Sequence, residues 1–370
     1  MKRSIEVLGV LLAASALAAC GQDASGAGGH HSSSGKGSSG AGASGGGDVG
    51  PGGGSAEGGA GVGGQGGTPP ESCDPYQPRA AAPQLIIGPS GMQKALIDQI
   101  DSAQSSLDVM MYQLSVQAFV DAFIAAKNRG VAVRVMLDAD QYVNDSSGTK
   151  LKGAGIEVKN APAEFEHAHA KTMVIDKNKA VIDSGNFNQY SMQSERNYAV
   201  VDTAADDVAD LEAVFERDWS GAPLDLSCTR LIVSPENSHQ RLLAHMSGAK
   251  QSLDFSIMYI SDKDSLDVIK ARVAAGVPVR VLLADPAWIS DNTATAADLK
   301  AAGAQAKFLK SYELHAKLIV ADGVPFVGSE NLSWTSLESN REIGVFVTEP
   351  EPADAIKAQF EKDWAAGVNQ

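Results

Sequence analysis

The foldable part of this chain is written twice, and no other feature constrains its architecture as tightly. Leu85-Ile86-Ile87-Gly88-Pro89 returns as Leu231-Ile232-Val233-Ser234-Pro235, and Ser106-Leu107-Asp108 returns as Ser252-Leu253-Asp254, each 146 residues on. Gly130-Val131-Ala132-Val133-Arg134-Val135 returns as Gly276-Val277-Pro278-Val279-Arg280-Val281 at the same offset. Near the ends, Phe215-Glu216-Arg217-Asp218-Trp219 returns as Phe360-Glu361-Lys362-Asp363-Trp364, 145 residues on. A constant offset across a whole half is duplication of a domain-sized unit, not the short period of a solenoid. The two halves read as 73–226 and 227–370.

Within each half, apolar runs of strand length alternate with helical patterns. Leu85–Ile87, Leu107–Tyr112 and Val131–Leu137 are rich in β-branched and apolar residues and predict strands. Met92–Ala103 carries Leu96, Ile97 and Ile100 at helical spacing, and Val116–Arg129 carries Val116, Phe119, Val120, Phe123 and Ile124 before a terminating Gly130. Apolar strands separated by helices imply a sheet covered on both faces. The expected fold class is therefore α/β. It comprises two tandem α/β/α units, each a mixed, mostly parallel sheet flanked by helices, packed about an approximate two-fold axis. Trp219 and Trp364 close repeated helices and read as core.

Ahead of the repeat lies a segment that cannot form a core. Lys2 and Arg3 precede an apolar run from Val7 to Ala19, the pattern of a signal peptide over 1–19 and too short to span a bilayer as a mature helix. Residues 21–67 hold 22 of the 38 glycines, so 20–72 reads as a flexible tether with an r.m.s. reach of about 35–40 Å. Leu17-Ala18-Ala19-Cys20 resembles a bacterial lipobox, and that resemblance implies acylation of Cys20 and anchoring in the cell envelope. Gly21 at the next position points by analogy to the outer membrane, on its periplasmic or surface face. The alternative is an ordinary cleavage site beside a cysteine. Cys73 and Cys228 then remain as an even pair in an oxidising compartment, either bridged or as two thiols, with the bridge preferred. The net charge of −15 argues against a surface that coats DNA, although a small basic pocket remains compatible with it. No run of about 20 apolar residues follows the leader, which excludes a polytopic membrane protein.

The duplication also copies one polar cluster. The first copy is His169-Ala170-Lys171, Asp176 and Ser184-Gly185-Asn186; the second is His315-Ala316-Lys317, Asp322 and Ser329-Glu330-Asn331. Each His and Lys alternate along a predicted strand, so both project to one face. Here the chain resembles the phospholipase D superfamily, whose signature H-x-K-x4-D-x6-G-S-x-N occurs twice in one active site. The resemblance covers about residues 84–366. It departs at Asp183, which stands where the family has Gly, and in the second copy, where five residues rather than six separate Asp322 from Gly328.

The resemblance implies a metal-free phosphodiesterase that needs no cofactor. A phosphodiester anion repels nucleophiles, so fixed charge and donors must surround its oxygens. Lys171 and Lys317 are expected to supply charge, and Asn186, Asn331, Ser184 and Ser329 to supply donors. One neutral imidazole attacks phosphorus, and the other protonates the leaving alcohol and later deprotonates water. The family places a carboxylate near the end of each half against an imidazole. The second half keeps one in Asn340-Arg341-Glu342, whereas the first has Arg196-Asn197-Tyr198 with Glu195 just before it. If Glu342 serves His315, then His315 is the general acid and His169 the nucleophile; the alternative is that Glu342 reaches across to the other half. Asp176 and Asp322 read as structural. His167 beside His169 reads as a supporting or exposed histidine, since the sequence offers no third ligand beside the two. His30 and His31 read as solvated. Phe187, Tyr190, Met192, Leu332 and Trp334 follow the two S-x-N turns, and fit either acyl-chain contacts or core packing.

Three functions stay open at this level. The first is hydrolysis of a membrane phospholipid to phosphatidate, with a cardiolipin-synthase-like transfer as its variant. The second is a nuclease of the same superfamily, and the third a catalytically silent envelope lipoprotein that binds lipid. Duplication lets a monomer build the whole site as an intramolecular pseudo-dimer.

Overall fold

A computed structural model describes residues 74–369. The readings placed on 1–73, namely the leader, Cys20, the tether, His30, His31 and Cys73, lie outside the described residues, as does Gln370. Cys228 is held in a disulfide. No helix among the described residues is long and apolar enough to cross a membrane.

The first half runs β1 (Gln84–Ile87), α1 (Met92–Asp101), β2 (Ser106–Met111), α2 (Gln117–Asn128), β3 (Ala132–Leu137), α3 (Asn144–Gly153) and β4 (Glu157–Asn160). It continues through β5 (Lys171–Ile175), β6 (Lys179–Asp183), α4 (Gln189–Gln193), β7 (Glu195–Arg196), β8 (Tyr198–Asp202) and α5 (Ala205–Ser220). The second half repeats the order with β9 (Leu231–Ser234), α6 (Ser238–Gly248), β10 (Leu253–Ile257), α7 (Lys263–Ala274), β11 (Val279–Ala284), α8 (Asn292–Ala302) and β12 (Gln305–Leu309). It ends with β13 (Glu313–Leu314), β14 (Lys317–Ala321), β15 (Val324–Gly328), α9 (Trp334–Glu338), β16 (Glu342–Phe346) and α10 (Pro350–Ala366).

Each half builds one seven-stranded sheet, ordered β1-β8-β6-β5-β2-β3-β4 and β9-β16-β15-β14-β10-β11-β12. The α/β class and the two mixed, flanked sheets agree with expectation; the mostly parallel balance does not. Only β2–β3–β4 and β10–β11–β12 are parallel, and the remaining pairings in each sheet are antiparallel. The reason is connection length. β5 and β6 are joined by residues 176–178, and β14 and β15 by Asp322 and Gly323, too few for a parallel crossover of about a dozen residues.

Three apolar cores result. One lies between the first sheet and α1 and α2, and a second between the second sheet and its own helices. The third joins the two halves: Val174, Ile182 and Val200 of the first sheet share it with Leu318, Val327 and Val345 of the second, together with α5 and α10. Burying one face of each sheet against its counterpart fuses the halves into one body. Trp219 belongs to this shared core and Trp364 packs against it. A further tie comes from Arg79, ahead of β1, which pairs with Asp202 and Asp207 of the first half and Glu349 of the second.

Candidate active site

β5 and β14 carry the repeated polar residues to one end of their sheets. His169 and His315 directly precede those strands, and Lys171 and Lys317 open them. All four are buried, at 4%, 3%, 1% and 1% exposure respectively, so their charges must be balanced by neighbours rather than by water. Lys171 Nζ donates to the His169 carbonyl. Lys317 Nζ donates to the His315 carbonyl at 2.6 Å and lies 3.2 Å from His315 Nε2.

Two short backbone pairings cross the seam and bring these ends together. β7 pairs in parallel with β13, and the bridge between Ala168 and Arg341 is its counterpart. The arginine of each pairing is pinned by the other half. Arg196 pairs with Asp363 of α10 and donates to the Gly88 carbonyl; Arg341 pairs with Asp218 of α5 and donates to the Ser234 carbonyl. Those two aspartates are the ones repeated in the Phe-Glu-x-Asp-Trp segments.

The crossing decides which side chain orients which imidazole. Glu342 meets His169, not His315: His169 Nδ1–H donates to the carboxylate at 2.8 and 3.0 Å. The expectation that Glu342 serves His315 is thus corrected, because the last strand of each half lies beside the histidine of the other. His315 Nδ1–H instead donates to Asn197 Oδ1 at 3.1 Å, with Glu195 Oε2 at 3.5 Å. Burial pushes the His169 imidazole below its ordinary value; Glu342 opposes this, and Lys171 and Lys317 add to it. Burial, Lys317, Lys171 and His169 drive His315 well below. Burial alone would raise Glu342, but the His169 ring and Lys171 outweigh it and hold the carboxyl below the usual range. The resting pair is therefore two neutral rings, each with Nδ1 engaged by the opposite half, and Nε2 of His315 also facing Lys317 Nζ.

A family model described as the PLD-like domain of cardiolipin synthase matches the chain twice, over residues 96–219 and 242–364. The chain belongs to the phospholipase D superfamily. It is 31% identical over 159 residues to a phospholipase D of Rickettsia bellii, a stretch covering 41% of this chain and 76% of that one. It is 26% identical over 138 residues to a mitochondrial cardiolipin hydrolase of Danio rerio, covering 36% of this chain and 61% of the relative. A solved phosphatidylserine synthase of Haemophilus influenzae superposes with a TM-score of 0.60 at 12% identity, over 76% of this chain and 86% of that one. This last likeness is one of fold.

The remaining signature residues of the superfamily fall into three pairs. Asn186 and Asn331 are buried beside the histidine strands, and Oδ1 of each has no hydrogen-bond partner. Their backbone N–H groups donate to Ser191 and Ser336 Oγ, whose own protons go to Glu195 and Glu342. Ser184 and Ser329, expected as donors to phosphate, are engaged within the protein. The single hydroxyl proton of Ser184 goes to Asn197 Oδ1 at 2.8 Å, and Ser329 Oγ faces the Ile343 backbone, accepting its N–H at 3.1 Å. Asp176 and Asp322 lie at the far ends of β5 and β14 from the histidines. Each accepts three consecutive backbone N–H groups, at 104–106 and 250–252.

Both departures from the superfamily pattern have a local explanation. The missing residue after Asp322 shortens the distant hairpin turn, where Asp322 and Gly323 both have positive φ. At the other departure two carboxyls have changed places. An ideal Cβ on Gly328, the counterpart of Asp183, would stand 2.2 Å from Glu330 Oε2, so Glu330 fills from the next-but-one position the space where an Asp183-like side chain would begin. Both carboxyls are buried, and burial pushes Asp183 up to about 8 despite Gly185 N–H and the two lysines. Burial and then Glu342 raise Glu330 well above its ordinary value.

Sequence reading placed Glu195 and Asn197 opposite the Glu342 segment without assigning either to an imidazole, and it missed Glu330 and the company of His167. One donor atom each of Asp138, Asp140 and His167 lie within 4.8 Å of one another. Both Asp138 oxygens already accept backbone N–H groups, from Asp140 and Ala168, so this corner serves to fix the approach to His169. Phe187, Met192 and Leu332 are core, while Tyr190 and Trp334 are exposed. The rings beside the two imidazoles also differ: Tyr112 meets His169 edge-on at 4.6 Å, and Trp288 faces His315 at 6.3 Å.

Proposed function

We propose that this protein is a phospholipase D-type phosphodiesterase that passes the phosphatidyl group of a glycerophospholipid through a phosphohistidine. The observation that carries the reading is the pairing of two buried neutral imidazoles, each oriented at Nδ1 from the opposite half and flanked by two buried lysines. His169 Nε2 attacks phosphorus as the bond to the head-group alcohol breaks. The leaving oxygen takes its proton from His315 Nε2, which binding of the anionic substrate has favoured in its protonated form. Water then gives a proton to His315, attacks phosphorus and returns the electron pair to His169. Lys171, Lys317, Asn186 and Asn331 hold the phosphoryl oxygens.

His169 remains the proposed nucleophile, for a reason other than the one read from sequence. A ring substituted at Nε2 and protonated at Nδ1 is cationic for the life of the intermediate, and Glu342 in contact with Nδ1 stabilises that charge.

The lipid substrate has separate support. The large hydrophobic side chains exposed among the described residues are Tyr142, Tyr190, Tyr312 and Trp334. Each lies in a connection or short helix at the end of its sheet that carries the histidines. Tyrosine and tryptophan are the residues that settle at a membrane–water boundary. A lipid anchor at Cys20, placing the protein in the cell envelope, and a self-sufficient monomer accord with this reading.

The test is head-group release from mixed phospholipid vesicles, with and without EDTA, beside His169→Ala and His315→Ala and with DNA as a competing substrate. Phosphatidate formed in EDTA and lost in both variants is expected. DNA cleavage with lipid untouched would move the protein to a nuclease role, and turnover of neither substrate would leave a silent binding protein. Added glycerol separates hydrolysis from transfer by appearance of the glycerol ester.

A further inference from the structure

Glu195-Arg196-Asn197 and Asn340-Arg341-Glu342 are the same three side chains in opposite order. Their arginines make matching ion pairs, so corresponding places can be compared directly. The third place touches the imidazole of the other half: Glu342 on His169 at 2.8 Å, Asn197 on His315 at 3.1 Å. The first place stands behind the third and steadies it. Asn340 Nδ2 donates to Glu342 Oε1 at 3.0 Å, and Asn197 Nδ2 donates to Glu195 Oε2 at 3.1 Å. Both halves thus possess a carboxylate–amide pair and a serine proton aimed at the carboxylate, from Ser336 and Ser191. Only the order differs.

We propose that this order decides which histidine receives the phosphoryl group, and that Glu195 is the positioning residue that keeps His315 a proton carrier. The proposal rests on the phosphohistidine reading above. A phosphorylated ring is cationic throughout the intermediate and gains from a carboxylate in contact. A proton carrier must load and release its proton in every turnover, and a contacting carboxylate would hold that proton too firmly. A carboxylate one place back, acting across an amide, attracts the proton without retaining it.

The surroundings of His315 make such attraction necessary. Lys317 on its own strand and Lys171 and His169 from the first half all oppose a positive ring. Glu195 lies 3.5 Å from Nδ1 of that ring; burial and then Glu313 raise its carboxyl above the ordinary value, while Ser191, Asn197 and Lys317 favour its charged form. Atoms balance without another reactant. The P–N bond forms on His169 as the P–O bond breaks, and the proton leaves His315 Nε2 for the alcohol and is replaced from water.

The order can be inverted by combining Glu195→Asn, Asn197→Glu, Asn340→Glu and Glu342→Asn. With bis(p-nitrophenyl) phosphate as probe, the protein is quenched in alkali and the modified peptide is located by mass spectrometry. The label is expected on His169 in the unaltered chain and on His315 in the inverted one; a label that stays on His169 overturns the proposal. If circular dichroism shows the fourfold variant unfolded, Glu195→Gln alone decides. Its ratio of turnover for a choline ester to that for a p-nitrophenyl ester should fall about tenfold, because only the alkyl alcohol needs protonation. An unchanged ratio, as a purely structural role would give, overturns it. Absence of label from both histidines in the unaltered chain removes the phosphohistidine reading itself.

Discussion

Glu342 is fully buried and bound to His169, Ser336 and Asn340, so its charge acts at short range in a dry setting. Glu342→Gln keeps the shape and removes the charge. On the proposed phosphohistidine route His169 then loses its counter-ion, and we expect turnover to fall by about a hundredfold or more, with less trapped intermediate per chain. Rapid quench measures both quantities. Asp183 tests a different consequence of burial. Its carboxyl titrates at about 8 in the folded chain, against 3.8 for an ordinary aspartate. The folded state therefore binds a proton that the unfolded state releases between those two values. Stability should fall as pH rises from about 4 to about 8. Asp183→Asn removes this dependence and should gain about 2 kcal/mol or more over the native chain at pH 8 relative to pH 4, read from urea unfolding at both. What sequence conveyed at this scale was local. Alternation put His169 and Lys171 on one face, but the partner of each imidazole is chosen by a strand about 120–170 residues away. The exchange of Asp183 for Glu330 looks like a lost glycine and an unrelated acid until the two positions meet in space.

The β5–β6 and β14–β15 hairpins carry chemistry at one end and a structural carboxylate at the other. Asp176 stands seven residues from His169, roughly 20 Å along an extended chain. Its carboxyl is held at about 2: burial opposes this, and the N–H groups of Ser106, Ser105 and Gln104 outweigh it. Asp176→Ala should cost about 1–2 kcal/mol of unfolding free energy while leaving KM for a soluble phosphodiester unchanged. A large rise in KM would show that the strand transmits disorder to its far end. The element readings from sequence were good to a residue or two: β3 spans Ala132–Leu137 where Val131–Leu137 was expected, and α1 starts at Met92. The mixed sheet was read, but its parallel share was overestimated because helices between β2, β3 and β4 suggested mostly parallel pairing. The corrective signal was the brevity of the 176–178 turn, which no crossover can span.

At the scale of the molecule, duplication gives the site its two-sidedness and leaves four aromatic side chains around one end. Tyr142→Ser combined with Trp334→Ser should lower turnover on vesicles several-fold and leave turnover of a dispersed short-chain lipid nearly unchanged. Equal loss on both substrates would mean that these rings support the fold rather than the approach to a membrane. The repeat itself was fully legible, since a constant offset survives any substitution between the copies. Its consequence for the centre was not, because the offset says that two halves exist and is silent on which faces they share.

Each imidazole is oriented by a side chain that its own half lacks. A chain nicked in the connection between α5 and β9 would carry an incomplete centre in either fragment. Reconstituted turnover would climb with the product of the two fragment concentrations and then level off as the sheets saturate one another. The rate in such a mixture is therefore a binding isotherm, and the enzyme reports how tightly its own halves associate.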